Sequence, residues 1–249
     1  MTFHSPFEQF EIIPIIPISI GGLNISFTNS SLFMMIVVVF ITSIYISSLY
    51  DAKLIPTEWQ SMVELSYLFI LSLIKEQIGH VGYKYLPIIF TTFIFLLSCN
   101  LLGMIPYTFT VTSHIIVTFG LALSIFIGIQ IIAGMHHGLH FFSFFLPQGA
   151  PLALSPFLVL IEIISYVFRV FSLAIRLFAN MMSGHTLLKI LAGFSWTMLS
   201  VGGALYIVSI VPLIIIFALT GLEISIAFLQ AYVFTILICI YLNDSIHLH

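Results

Sequence analysis

Charge is what this chain lacks. Six Lys and Arg and nine Asp and Glu among 249 residues leave 6 % charged side chains, where an ordinary soluble domain carries about 25 %. So few ionic groups could not cover a water-facing surface, and lipid must be the main solvent. That excludes a soluble enzyme, a nucleic-acid binder with a basic face and a disordered chain. Cysteine is scarce too. Cys99 and Cys239 lie in apolar runs without metal-ligand spacing, so two buried free thiols are expected, not a disulfide framework. Residues 1–20 hold Glu8, Glu11 and Pro14 but no basic cluster, which does not fit a secretory signal peptide. No phosphate-binding loop, nucleophile elbow or haem-type histidine pair stands in the sequence. The chain is therefore expected to perform no covalent chemistry and to need neither cofactor nor metal.

What is present is hydrocarbon. Hydrophobic residues reach 61 %, with 25 Phe, and the mean hydropathy is +1.23. Long Ile, Leu and Phe runs favour helical spans over a transmembrane barrel, whose strands alternate polar and apolar residues. The expected fold class is an all-α polytopic membrane protein, with five membrane helices and one amphipathic surface helix in a single membrane domain. An N-terminal segment, 1–30, precedes a first span at 31–50, about the twenty residues that a core of roughly 30 Å requires. Residues 57–78 mix Glu58, Glu64, Lys75 and Glu76 with Leu, Ile and Phe behind a candidate N-cap at Thr57. That reads as an amphipathic helix along the membrane surface.

Two further spans, 86–104 and 113–135, are joined by a short uncharged link with Ile105, Pro106 and Tyr107, which predicts an antiparallel hairpin. Residues 136–154, with His136, His137, His140, Pro147, Gly149 and Pro151, read as an interfacial loop. His136 and His140 have i, i+4 spacing but neither the intervening Glu of a zinc protease nor a third ligand. Histidines without metal are the expectation there.

The last two apolar segments are too long. Ser155 to about Leu191 would make roughly 55 Å of helix against a core of about 30 Å, and Pro156 suits its first turn. Gly202 and Gly203 mark a turn, and Tyr206 to Asn243 follows, with Pro212 near its start and Gly221 inside. Residues 155–249 thus predict a hairpin lying strongly oblique to the bilayer normal, where ordinary spans tilt about 20°. Lys53, Lys75 and Lys84 follow the first span, and none of residues 1–30 is basic. The N-terminus is therefore expected outside and, after five crossings, the C-terminus inside.

Charges stand where they are expensive. Glu162, Arg169, Arg176, Lys189 and Glu223 lie in these segments, each costing about 2.5–3.5 kcal/mol at mid-membrane. Residues 162, 169 and 176 are seven apart, so each step drifts only about 20° around a helix. Ser165, Ser172, Asn180 and Ser183 fall near the same stripe. His185, nine residues past Arg176, points to the opposite face. In the last segment Glu223 and Gln230 are seven apart and Asp244 is fourteen further on. Two separate polar lines, one carrying arginine, look like two aqueous paths with a cation at the division. Glu162 and Arg169 could instead be an intrahelical pair neutralised for insertion. Arg176 has no acid at i±3 or i±4 and cannot be deprotonated. Its counter-ion must come from another helix, lipid or another protein.

The stretches SLAIRLFANMMSGHTL (Ser172 to Leu187) and LEISIAFLQAYVFTILICIYLNDSIHLH (Leu222 to His249) closely resemble subunit a of F-type ATP synthases, the ATPase subunit 6 of mitochondria. The likeness continues through SPFEQFEI (Ser5 to Ile12), NLLGMIPYTFTVTSH (Asn100 to His114) and HGLHFFSFFLPQGAPLALSPFLVLIEIISYVFR (His137 to Arg169), nearly the whole chain. SPFEQFEI, and the pairing of His185 with Glu223, resemble the mitochondrial and related bacterial form. The resemblance implies a surface helix plus spans ending in a near-horizontal hairpin that curves around a rotor ring of c subunits. It makes the chain a non-catalytic proton-channel subunit, with Arg176 facing the rotor carboxylate and Asn180 and Gln230 as its polar neighbours. His185 and Glu223 would line the outer half-channel, Glu162 and Asp244 the inner one, with Arg169 and Ser165 in support. The implied partners are the c-ring, the peripheral stalk, other membrane subunits and lipid, with no nucleic acid. The implied location is the mitochondrial inner membrane, or a related bacterial plasma membrane. Two rival readings stay open at this point: a secondary transporter, and a structural subunit of a respiratory complex whose polar stripes only join helices.

Overall fold

Apolar sequence without breakers folds into long helices, because in lipid every backbone N–H and C=O must be satisfied within the segment. The computed structural model describes residues 5–20, 23–50, 52–105, 108–138, 155–203 and 208–246. Among them are six α-helices: α1 (Asn29–Tyr50), α2 (Glu58–Gln77), α3 (Leu86–Gly103), α4 (Ile115–His137), α5 (Ser155–Val201) and α6 (Ile210–Ile246). All but α2 are long and apolar enough to cross a membrane, and the all-α polytopic fold class holds. The N-terminal segment adds two small antiparallel ladders, Pro14–Ile16 with Phe27–Thr28 and Ser19–Ile20 with Leu23–Asn24. A capping box between Ser5 and Glu8 opens the 3-10 turn Pro6–Phe10.

α2 starts where Thr57 places it. The Thr57 backbone is extended, and the Ser61 N–H donates to its carbonyl at 2.8 Å, although its side chain makes no capping bond. Glu58 in the first turn and Lys75 in the last oppose the helix dipole. Val63, Ile70, Leu73 and Ile74 are buried, while Trp59, Met62, Leu65 and Leu68 are exposed, an outward apolar surface that suits hydrocarbon contact. Buried Gln60 ties down the preceding link. Its Oε1 accepts from the Lys53 N–H and its Nε2 donates to the Lys53 carbonyl, both at 3.1 Å.

Three expected boundaries move. α5 continues past Leu191 to Val201. Gly193 inside a helix costs only about 1 kcal/mol, and apolar Phe194 and Trp196 follow it. The helix stops instead at Gly202 and Gly203, whose φ of +74° and +65° favour glycine. α4 runs on to His137, so His136 and His137 belong to its last turn and not to a loop. His140 and the rest of 139–154 lie outside the described residues, as do Pro106 and Tyr107. α6 begins at Ile210, with Tyr206 outside the described residues, and reaches Ile246 rather than Asn243. Pro212 sits in its first turn, where a missing N–H breaks no intrahelical bond.

The chain forms two compact units. The first is Met1–Ile44, Ile94–His114 and Leu177–Ala231; the second is Tyr45–Phe93, Ile115–Arg176 and Tyr232–His249. Leu96, Cys99, Asn100, Leu177, Met181, Ala227 and Ala231 are buried in the first. The second is built more on rings, with Phe119 against Phe171 at 4.9 Å, Phe126 against Tyr166 at 5.1 Å and Tyr45 against Phe90 at 5.8 Å. Both cysteines are buried free thiols.

Candidate functional site

The first unit holds a buried acid. Glu223 on α6 is 3 % exposed, and its Oε1 lies 3.6 Å from Nδ1 of His185 on α5. That distance is too long for a good hydrogen bond. Both carboxylate oxygens and the His185 Nε2 are buried, with no hydrogen-bond partner among the described residues. Burying a polar group without a partner is costly. Gly184 makes the approach of Glu223 feasible. A Cβ added to Gly184 would stand 2.9 Å from the Glu223 Cδ and meet Oε1 still closer. A fully buried amide completes the unit: Asn100 Nδ2 on α3 donates to the Ala227 carbonyl at 3.3 Å, while its Oδ1 has no partner among the described residues. Ala227 is one turn from Glu223 on α6.

The second unit holds open charge. Ser165, Phe168, Arg169, Ser172, Arg176 and Tyr241 line an open groove of about 440 Å³. Arg169 Nη1 lies 3.9 Å from Asp244 Oδ2, and both side chains stay about one-third exposed. The Arg169 guanidinium also sits 5.9 Å from the centre of the Tyr241 ring, within reach of a cation–π attraction. Behind the groove Gln130 hydrogen-bonds the Tyr166 hydroxyl. Arg176 is exposed, and among the described residues no carboxylate pairs with it. Arg169 pairs across to α6, so the alternative of an intrahelical Glu162–Arg169 pair is not what forms. Glu162 is half-buried on α5 and has no ion pair among the described residues.

The sequence stripe therefore survives in part. Ser165, Arg169 and Arg176 share one groove, and Asp244 joins Arg169. His185 and Glu223 come together as a pair. Asn180 and Gln230 are half-buried and belong, like that pair, to the first unit. Sequence reasoning passed over Asn100, Gly184 and Tyr241. A lone amide inside an otherwise apolar span was a visible signal for Asn100. A glycine needed only because a distant carboxylate approaches it left no local signal.

A sequence profile of the ATP synthase A chain family matches residues 30–243. The chain belongs to that family. The ATP synthase subunit a of Marchantia polymorpha is 60 % identical over 249 residues, covering 98 % of this chain and 99 % of its own. That of Brassica napus is 58 % identical over all of this chain and 98 % of its own, and that of Chondrus crispus 58 % over 98 % and 97 %. As a member of the ATP synthase A chain family the protein is a multi-pass membrane subunit of an ATP synthase, which removes the transporter and respiratory-subunit readings. The matched range includes every candidate residue from Glu162 to Gln230, and Asp244 lies just past its end.

Proposed function

We propose that the chain is the proton-translocating stator subunit of a rotary F-type ATP synthase, with two offset half-channels separated by Arg176. One observation carries this reading: a membrane-spanning chain exposes an arginine that has no carboxylate partner among the described residues. A guanidinium cannot shed its charge, so its counter-ion is assigned to a carboxylate on a neighbouring c subunit of the rotor. The 47 residues of α5 amount to about 70 Å of helix, far more than a crossing needs. That surplus supports a near-horizontal hairpin running along a c-ring.

Protons enter from the outer side through His185 and Glu223. At 3.6 Å a small side-chain movement brings the two within direct hydrogen-bond reach. From there the proton passes to the rotor carboxylate, which turns neutral and can face lipid. After nearly a full rotation that carboxylate releases its proton into the inner path lined by Glu162 and Asp244, with Arg169 and Ser165 in support. The resulting anion is drawn to Arg176, with Asn180 and Gln230 as supporting polar groups. The fixed cation also blocks direct hopping between the paths, a leak that at roughly 150 mV would dissipate about 3.5 kcal/mol per charge. The inner side is the side of Lys53, Lys75 and Lys84. The peripheral stalk and other membrane subunits are the remaining partners. The His185–Glu223 pairing and the extreme hydrophobicity favour the mitochondrial inner membrane over a bacterial plasma membrane.

The test is Arg176→Ala in the reconstituted complex. Proton-driven ATP synthesis is expected to fall by about a hundredfold or more, and intact coupled synthesis would overturn the proposal. Proton flux in liposomes holding the chain with and without c-ring subunits checks the mechanism independently, since a stator half-channel conducts only with its rotor.

A further inference from the structure

One cavity of the second unit plays no part in the site above. Side chains of α3, α4 and α6 enclose a slot of about 200 Å³. Ile88 and Ser124 stand exposed at its rim, while Ile89, Ile129, Ile238 and Leu242 are buried behind them. The Ser124 hydroxyl donates to the Leu121 carbonyl at 2.9 Å, so it is spent within α4 and the walls are hydrocarbon. A water needs two to four polar partners, whereas an apolar cavity stays dry and takes up apolar molecules. Gly128 widens the slot. A Cβ added there would meet nothing within 4 Å, although glycine weakens a helix interior.

The slot also has a polar end. Tyr85 lines it, with its hydroxyl 3.4 Å from the His136 Nε2, and exposed Lys84 precedes Tyr85. Ser124, Gly128, Ile132 and His136 are four residues apart and form one line along α4. From Ser124 to His136 that line is about 18 Å long, close to the roughly 15 Å of hydrocarbon in one leaflet. The polar end is thus at headgroup level when the far end is near the bilayer midplane. A neighbouring helix, about 10–12 Å across, is too thick to enter such a slot. A single acyl chain is not. Phenol, imidazole and ammonium all donate hydrogen bonds, which suits a phosphate, an acceptor that carries negative charge.

We propose that this slot binds one phospholipid, from the leaflet on the side of Lys53, Lys75 and Lys84. One acyl chain fills the slot, and the phosphate accepts from the Tyr85 hydroxyl, the His136 ring and the Lys84 ammonium. An anionic lipid binds best, because Lys84 adds a full positive charge. The chain braces α6 from behind: Ile238 and Leu242 line the slot, whereas Leu237 and Tyr241 line the groove of Arg169 and Arg176.

The experiment uses the whole ATP synthase in phosphatidylcholine vesicles. The probe is a trace of phosphatidylglycerol with a photoreactive diazirine at the end of one acyl chain. After illumination, peptide mapping should find it on residues 124–132 of α4 or on Ile238. Gly128→Leu fills the slot with the protein's own side chain and should cut that labelling about tenfold. Lys84→Gln changes an exposed side chain and leaves packing alone, and it should cut labelling about fivefold. A diacylglycerol with the same diazirine chain but no phosphate should label several-fold less than the probe. Equal labelling of the parent and Gly128→Leu would mean ordinary bilayer lipid and overturn the proposal. No label at these residues would also overturn it, since another subunit would then cover the slot. Should Gly128→Leu fail to assemble, the other two arms decide: unchanged labelling in Lys84→Gln together with equal labelling by the diacylglycerol would remove the phosphate contacts and the phospholipid with them.

Discussion

Glu223 in the first unit and Asp244 in the second both lie within ion-pairing distance of a base, yet their surroundings differ in kind. Glu223 is buried, faces a histidine that can be neutral, and has no hydrogen bond to either oxygen among the described residues. Asp244 is about one-third exposed and faces an arginine that is always charged. A buried acid beside a base that can be neutral has no fixed counter-charge holding it in one state, so it can take up a proton as well as release one. An open carboxylate beside a permanent cation keeps a fixed counter-charge within reach and suits a wet surface. The contrast matches the division of labour proposed for the two half-channels.

Removing both members of the buried pair should break the comparison most severely. In a His185→Leu, Glu223→Leu double variant proton-driven synthesis should fall about a hundredfold, measured in proteoliposomes; unchanged flux would remove both residues from the path. Gly184→Ala comes next. The new methyl would push the Glu223 carboxyl away from His185, and synthesis should drop about tenfold with the complex still assembled. Normal rates would show that the close approach is incidental. Asp244→Asn should act more weakly. A partly exposed ion pair contributes only about 0–1 kcal/mol, so assembly should be unchanged and the rate should fall about two- to threefold. A loss as deep as that of the Glu223 variant would erase the distinction. Glu162→Gln belongs beside it, with a slower proton release as the expected readout.

The smallest effect concerns acid stability. The His114 pKa is lowered by burial from 6.5, so folding favours its neutral form. Its contribution is complete above pH 6.5 and is lost as pH falls toward the lowered value. In detergent, the fraction of complex that stays assembled at pH 5.5 should therefore be slightly higher for His114→Gln than for the parent, with no difference at pH 7.5. Equal acid losses would mean that His114 does not titrate against folding.

Much of the fold was legible because lipid imposes a simple rule. Twenty apolar residues without a breaker make a span, and the ends of α1, α3 and α4 fell within a few residues of expectation. α5 ran further than expected because a single glycine at 193 is tolerated, whereas the pair at 202 and 203 adopts a backbone that no helix can continue. The polar stripe was legible too, since a spacing of seven keeps Arg169 and Arg176 on one side of α5. The partner of Arg169 was not, because nothing local distinguishes Glu162 on its own helix from Asp244 on another.

Composition and periodicity by themselves settled that this chain lives in lipid, how many helices cross it, and which residues carry charge at a cost. Those properties are local, being sums over neighbouring residues or a rotation of about 100° per residue. Tertiary structure alone decided that Glu223 meets His185 over the bare backbone of Gly184, that Asn100 reaches α6, and that Phe109, Thr110, Val111, Thr112 and Ser113 are buried. Each depends on which helix surfaces pack together, and contact between residues far apart in sequence leaves no trace in either one's neighbours.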